Sequence, residues 1–179
     1  MGVFPEQLKY SVVIPLHKKG DVSNMANYRP ISLLLVFSIV FEKTMFCRLN
    51  KHLQINNILA TEQYRFRKVL SAEHANFSLI VNILKAWNKN IHIGGIFCDL
   101  TKAFDCVDHD VLTAKREHYG IQESTLNWFK SYLPNRRQRT KLSVNKDQMY
   151  YSTWEIVKQG VPQGSVLGPL LFLLCIIVH

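Results

Sequence analysis

The chain has 179 residues, 47% hydrophobic and 20% charged, which is enough for one ordinary domain with a real core and too apolar for a disordered tail. Lys and Arg outnumber Asp and Glu by 22 to 13, a formal charge of +9, which favours a polyanionic partner such as nucleic acid or an acidic membrane surface. A basic protein without such a partner has the same balance, so charge alone does not separate the two.

Cys47, Cys98, Cys106 and Cys175 have no CxxC spacing, and we read them as reduced thiols of a nuclear or cytoplasmic protein. The start, MGVFPEQLKY, lacks the basic and apolar regions of a signal peptide, and Glu6 breaks the myristoylation pattern. The apolar runs 31–41 and 166–178 are shorter than the roughly 18 residues of a spanning helix, so no membrane partner is expected.

In chain order, YSVVIPLH predicts a strand ending in the basic turn Lys18–Lys19–Gly20. Residues 21–30 are turn-rich, and Pro30 predicts the start of a helix from Ile31 to about Gln54. A second helix is expected over 71–87, then a buried strand over 91–100 (IHIGGIFCDL). Residues 107–120 read as a helix stopped by Gly120, and Ser124 as the cap of a helix ending at Pro134–Asn135. Residues 140–157 alternate and predict a hairpin turning near Asn145–Lys146–Asp147. A Gly/Pro loop over 159–169 leads into a final apolar helix. This order predicts the α+β class. The chain stops inside its most apolar segment, which reads as a fragment.

The stretch FCDLTKAFDCVDHD (97–110) concentrates Asp99, Asp105, Asp108 and Asp110 in a basic chain. Asp99, at the end of a predicted buried strand, would sit at a sheet rim where a metal could bind. Asp108 and Asp110 suit a helix N-terminus better. No EF-hand loop and no HExxH is present.

Four segments taken together, NYRPISLL (27–34), FCDLTKAFDCVDH (97–109), SYLPNRRQR (131–139) and QGVPQGSVLGPLLFLL (159–174), resemble the reverse transcriptase domain of non-LTR, jockey-like retrotransposons. The resemblance runs from about Val12 to Leu174. It implies a partial right-hand polymerase, fingers plus incomplete palm, without a thumb. Residues 1–95 would be mainly fingers and 96–110 a palm strand with the first catalytic Asp. Residues 111–158 would form helices and a hairpin, and 159–179 the PQG loop and the start of a palm helix. The implied reaction is templated transfer of deoxynucleotides to a primer 3′-hydroxyl, with RNA template, DNA primer and dNTP as partners. Two Mg²⁺ ions, roughly 3.5–4 Å apart in such sites, would clamp the reacting oxygens.

By the same resemblance, Asp99 is the first catalytic carboxylate and metal ligand, assisted by the Leu100 carbonyl. Phe104 is the bulky residue beneath the sugar. Arg29 contacts the triphosphate, a role suited to bidentate guanidinium; Lys18 and Lys19 read equally as a contact to the same phosphates or as a solvated turn. Gln163 and Gly164 pack against the nascent base pair, and Ser165 caps the next helix. Arg136, Arg137, Arg139 and Lys141 read equally as a template-binding cluster or as a solvated helix end; Arg65, Arg67 and Lys68 carry the same ambiguity.

The sequence also departs from the family. The aromatic-x-Asp-Asp motif is absent, and the last acidic residue is Glu155. Arg65 and Val69 replace two glycines of the family pattern, which predicts backbone strain if those positions need positive φ. Three functions therefore stand together: a partial RNA-directed DNA polymerase, a non-catalytic module that binds RNA or DNA, and a decayed product. For this chain alone, inactivity is expected.

Overall fold

The computed structural model describes residues 2–67, 69–100, 102–121, 123–145 and 148–177. Lys68, the expected turn at Lys146–Asp147 and the side chain of Ser124 lie outside what is described. The chain divides into two compact units, Met1–His52 with Lys102–His179, and Leu53–Thr101, where the sequence reads as a single domain.

The first unit is built on a five-stranded sheet in which β1 (Tyr10–His17) pairs antiparallel with β2 (Tyr28–Leu34) and parallel with β3 (Arg137–Asn145). Both β4 (Gln148–Tyr151) and β5 (Glu155–Ile156) pair antiparallel with β3. The helix predicted from Ile31 to about Gln54 is present but starts later: residues 28–34 form β2, and α1 (Val36–Ile55) begins only afterwards. A short apolar run does not distinguish a buried strand from a helix by its periodicity. Pro30 is accommodated because Pro15 pairs with Pro30, so both ring nitrogens point away from the ladder between the strands. β2 lies at the sheet edge, and β3 pairs with β1 only as far as Val13, so neither proline removes a ladder donor.

In the second unit, α2 (Ala72–Asn88) is capped by Ser71, whose hydroxyl accepts from the His74 N–H while the His74 ring accepts from the Ser71 N–H. Residues 91–100, expected to be a buried strand, have no regular structure and are all exposed. No described strand pairs with them, and a strand without a neighbour leaves its backbone groups unsatisfied by the protein. Gly94 and Gly95 weaken the segment further. Arg65 and Val69 are not in the left-handed region; the positive φ nearby belongs to Phe66, at +62°, so the strain expected at the two replaced glycines is absent.

Back in the first unit, α3 (His109–His118), α4 (Glu123–Tyr132) and α5 (Gly168–Ile176) complete the architecture. The palm strand expected over 96–110 is replaced by the exposed segment, a turn at 102–106 and the start of α3. The core of this unit gathers Phe4, Leu49, Leu112, Phe129, Tyr132 and Leu171, all nearly inaccessible. Phe4 meets Trp128 and Tyr132 edge-on at 5.4 and 5.0 Å, while Trp128 and Tyr132 stack at 4.9 Å. Such ring pairs add stability beyond the area they bury. Gly120 ends the region after α3 at φ +67°, as its position suggested.

Candidate nucleotide and nucleic-acid site

The loop after β5 folds back on two parts of the first unit. Its Gly160 N–H donates to the Val107 carbonyl at 2.7 Å, and Val161 N–H to the Phe104 carbonyl at 2.9 Å. The Gly160 carbonyl meets His109 Nε2 at 2.7 Å. Two steps along, the Ser32 N–H of β2 donates to the Gln163 carbonyl at 2.8 Å. The loop thus bridges the 102–107 turn and the free edge of β2. Gly160 has φ +88°, and a Cβ there would lie 2.9 Å from Asp105 Cα. Gly164 has φ +110°, and a Cβ there would lie 3.2 Å from the Ser32 carbonyl oxygen. Both positions need glycine for conformation and for close backbone approach.

A buried carboxylate anchors the far end of this loop. Glu42 on α1 is fully enclosed. Its Oε1 accepts from the Tyr132 hydroxyl at 2.8 Å, and its Oε2 from the Val166 N–H at 2.8 Å. Burial, reinforced by the Glu42 charge, pushes the Tyr132 hydroxyl well above the ordinary tyrosine value, so it stays a neutral donor. Ser165 is not the N-cap residue of α5, a place held by Leu167, but its Oγ accepts from Gly168 N–H at 2.9 Å and does a related job. The sequence offered one signal for Glu42, an acid that follows directly on the apolar run 31–41.

Of the expected site residues of the first unit outside the loop itself, Phe104 touches it through its carbonyl, and the others lie on the sheet or its turns. Phe104 is half-buried, its ring 5.5 Å from that of Phe172. Arg29 is exposed on β2, three residues before the strand position that holds Gln163. Lys18 and Lys19 are exposed in the turn after β1, where Lys18 N–H donates to the Asn27 carbonyl at 2.8 Å. Arg137 is exposed on β3, and Arg139 and Lys141 are half-buried there.

Arg136 does not belong with them. It is only 2% exposed, with its guanidinium 4.7 Å from the Tyr132 ring centroid and Nη1 donating to the Tyr132 carbonyl. It acts inside the core and offers phosphate no surface. Trp128 and Tyr132, its aromatic neighbours in sequence, are buried with it.

Asp99 and Leu100 lie in the second unit, on the exposed segment without sheet pairing. This corrects the expectation of a carboxylate at a sheet rim. Among the described residues no three His, Cys, Asp or Glu side chains are grouped to hold a metal ion. Mg²⁺ requires several hard oxygen donors in near-octahedral order. Among the described residues, one exposed carboxylate and a carbonyl do not meet that need by themselves. Asp108 serves elsewhere: its Oδ1 accepts from Asp110 N–H at 2.8 Å and Val111 N–H at 3.0 Å, capping α3 as its position suggested. No helix among the described residues is long and apolar enough to cross a membrane.

Comparisons with known proteins agree with these motifs. The family described as reverse transcriptase (RNA-dependent DNA polymerase) matches residues 16–178. In Drosophila melanogaster, a probable RNA-directed DNA polymerase from transposon BS is 35% identical over 94% of this chain and 18% of that protein. The RNA-directed DNA polymerase from the mobile element jockey of the same organism is 30% identical over 96% of this chain and 18% of its own length. The chain therefore spans less than a fifth of these relatives. Among solved structures, apo telomerase from Candida tropicalis, truncated from its C-terminal domain, aligns with a TM-score of 0.54 at 13% identity, over 98% of this chain and 39% of that one. That likeness concerns the fold, which is α+β of the right-hand polymerase kind. With the PQG loop seated on β2 and the family match running almost from end to end, the chain belongs to the reverse transcriptase family and corresponds to the polymerase domain of non-LTR, jockey-like retrotransposons.

Proposed function

We propose that this chain forms the fingers and part of the palm of an RNA-directed DNA polymerase, and that by itself it binds substrates without extending a primer. The observation that carries the reading is the PQG loop held between β2 and the 102–107 turn, with glycine backbone at the points of closest approach. In this reading Arg29 holds the incoming triphosphate by paired hydrogen bonds, with Lys18 or Lys19 adding charge from the neighbouring turn. Phe104 lies under the sugar and disfavours a 2′-hydroxyl. Gln163 and Gly164 pack on the nascent base pair, and Arg137, Arg139 and Lys141 meet nucleic-acid phosphates. Asp99 is the first of the carboxylates that such chemistry uses.

Inactivity of the chain alone follows from the absent Asp-Asp motif. Phosphoryl transfer depends on neutralising charge at the reacting phosphate, and removing one comparable electrostatic contact costs on the order of 3 kcal/mol. Primer extension with the purified chain, RNA template, DNA primer, dNTPs and Mg²⁺ is expected to give no product above background. Extension abolished by Asp99→Ala would overturn this. The positioning roles are tested in a chimera that carries this chain in place of the matching segment of the transposon BS polymerase. That chimera should extend a primer, Asp99→Ala should abolish extension, and Arg29→Ala should raise the KM for dNTP about tenfold or more.

A further inference from the structure

The turn from Pro162 to Ser165 carries Gln163 and Gly164, and its own sequence does not fix its position. Gly164 is exposed at φ +110°, and Gln163 is half-buried. Glycine leaves a backbone permissive, so such a turn takes its place from whatever holds its ends. One anchor is the Gln163 carbonyl, which accepts from the Ser32 N–H of β2 at 2.8 Å. The other is the Val166 N–H, which donates to Glu42 Oε2 at 2.8 Å across 124 residues of sequence. The Ser165 N–H closes the turn onto the Pro162 carbonyl at 3.1 Å. Only Gly164 and Ser165 separate the anchors, so a shift at Val166 is carried into Gln163.

Glu42 is itself held from the core. Its Oε1 accepts from the Tyr132 hydroxyl of α4 at 2.8 Å, and Ser38 Oγ, one turn back on α1, lies 3.5 Å away. Tyr132 is fully buried, stacked on Trp128 at 4.9 Å and covered by the Arg136 guanidinium at 4.7 Å. One carboxylate oxygen is thus fixed by the core, and the other fixes the loop. Stability alone is a weak reason for this group. Burial costs a carboxylate much of its hydration, and well-packed apolar residues of like volume commonly stabilise a fold as well. Apolar packing tolerates small displacements, whereas a hydrogen bond sets a distance and an angle.

We propose that Glu42 is a positioning residue of the polymerase: held by Tyr132, it fixes the Gln163–Gly164 turn through Val166 and so sets how strictly a mismatched nucleotide is rejected. Glu42 touches neither nucleotide nor nucleic acid and acts only through the loop. A wrong base pair is rejected when it has to displace a fixed surface, and a surface free to move rejects less. The inference rests on the reading of Gln163 and Gly164 at the nascent base pair, and adds that the strictness of the turn is set from inside the first unit.

The deciding variant combines Glu42→Met with Tyr132→Phe. It removes both polar partners at nearly constant volume, which limits the loss of stability, yet it takes the acceptor from Val166. In the full chain, amide exchange at Val166 and Ser32 should become at least about tenfold faster, while the β1 amides stay as in the parent. In the chimera with the transposon BS polymerase, single-nucleotide incorporation gives kcat/KM for a correct and for a mismatched dNTP. The double variant should lower their ratio about tenfold and raise the KM for the correct dNTP, with primer–template affinity unchanged. Glu42→Gln, which retains an acceptor, should keep the ratio within about twofold of the parent. A merely structural role would reduce the active fraction, lowering kcat for both nucleotides alike and leaving KM and the ratio as they were. That result would overturn the proposal, as would parent-like exchange at Val166 and Ser32. Should the double variant unfold, Tyr132→Phe alone decides: it should lower the ratio about threefold, and an unchanged ratio refutes the role. Gln163→Ala separates the two readings. A ratio unchanged there overturns the reading of the loop and the proposal with it. A ratio lowered there but unchanged in the double variant overturns the proposal alone.

Discussion

Asp108 shows how a single carboxylate acquires a structural task in a basic chain. Hydrogen bonds from the backbone N–H groups of Val111 and Asp110 hold its carboxyl below the ordinary aspartate value of 3.8. A lowered folded-state value means that the charged cap stabilises the fold above the ordinary value, and that this contribution is lost as pH falls through the lowered one. Asp108→Ala should therefore lower the melting temperature at neutral pH, and the gap from the parent should narrow in acid. Asp108→Asn keeps an acceptor without the charge, so its melting temperature should show less of that acid dependence. Melting curves across the acid range measure both. This role was legible because an acid just before a helix has few competing uses. The role of Arg136 was not: in the sequence it is one of a basic run, and only its placement against Tyr132 shows that it is enclosed.

At the scale of elements, the loop before α5 depends on close packing that its neighbours allow only to glycine. Gly160→Ala meets backbone atoms at 2.9 Å at a positive φ, and should cost roughly 3 kcal/mol. Gly164→Ala meets one carbonyl oxygen at 3.2 Å and should cost less, roughly 1–2 kcal/mol. Urea unfolding gives the order, and a reversed order would show that the loop relaxes away from the 102–107 turn. The Gly/Pro spelling of this loop was visible in the sequence, but its contact with β2 was not. α2 was legible from its apolar spacing. β2 was misjudged because Pro30 suits a helix start as well as a sheet edge, and only pairing with Pro15 chooses.

For the molecule as a whole, the first unit has an internal polar tie in which Glu42 joins α1, α4 and the start of the α5 segment. Glu42→Ala would take from the Tyr132 hydroxyl and the Val166 N–H the carboxylate that accepts from both. It should cost roughly 3 kcal/mol in urea unfolding, while Glu42→Gln, which retains an acceptor oxygen, should cost less.

The sequence by itself determined the family, the α+β class, the places of most helices and the motif residues that reach the PQG loop, because these depend on local spacing and on side-chain chemistry written in order. Only the tertiary structure decided that 28–34 is a strand, that no described strand pairs with 91–100, that Arg136 is enclosed, and that Arg139, Tyr151 and Trp154 share one open face. Each of those outcomes depends on what lies across from a residue rather than beside it. Pairing register and burial are set by distant segments, which no local pattern records.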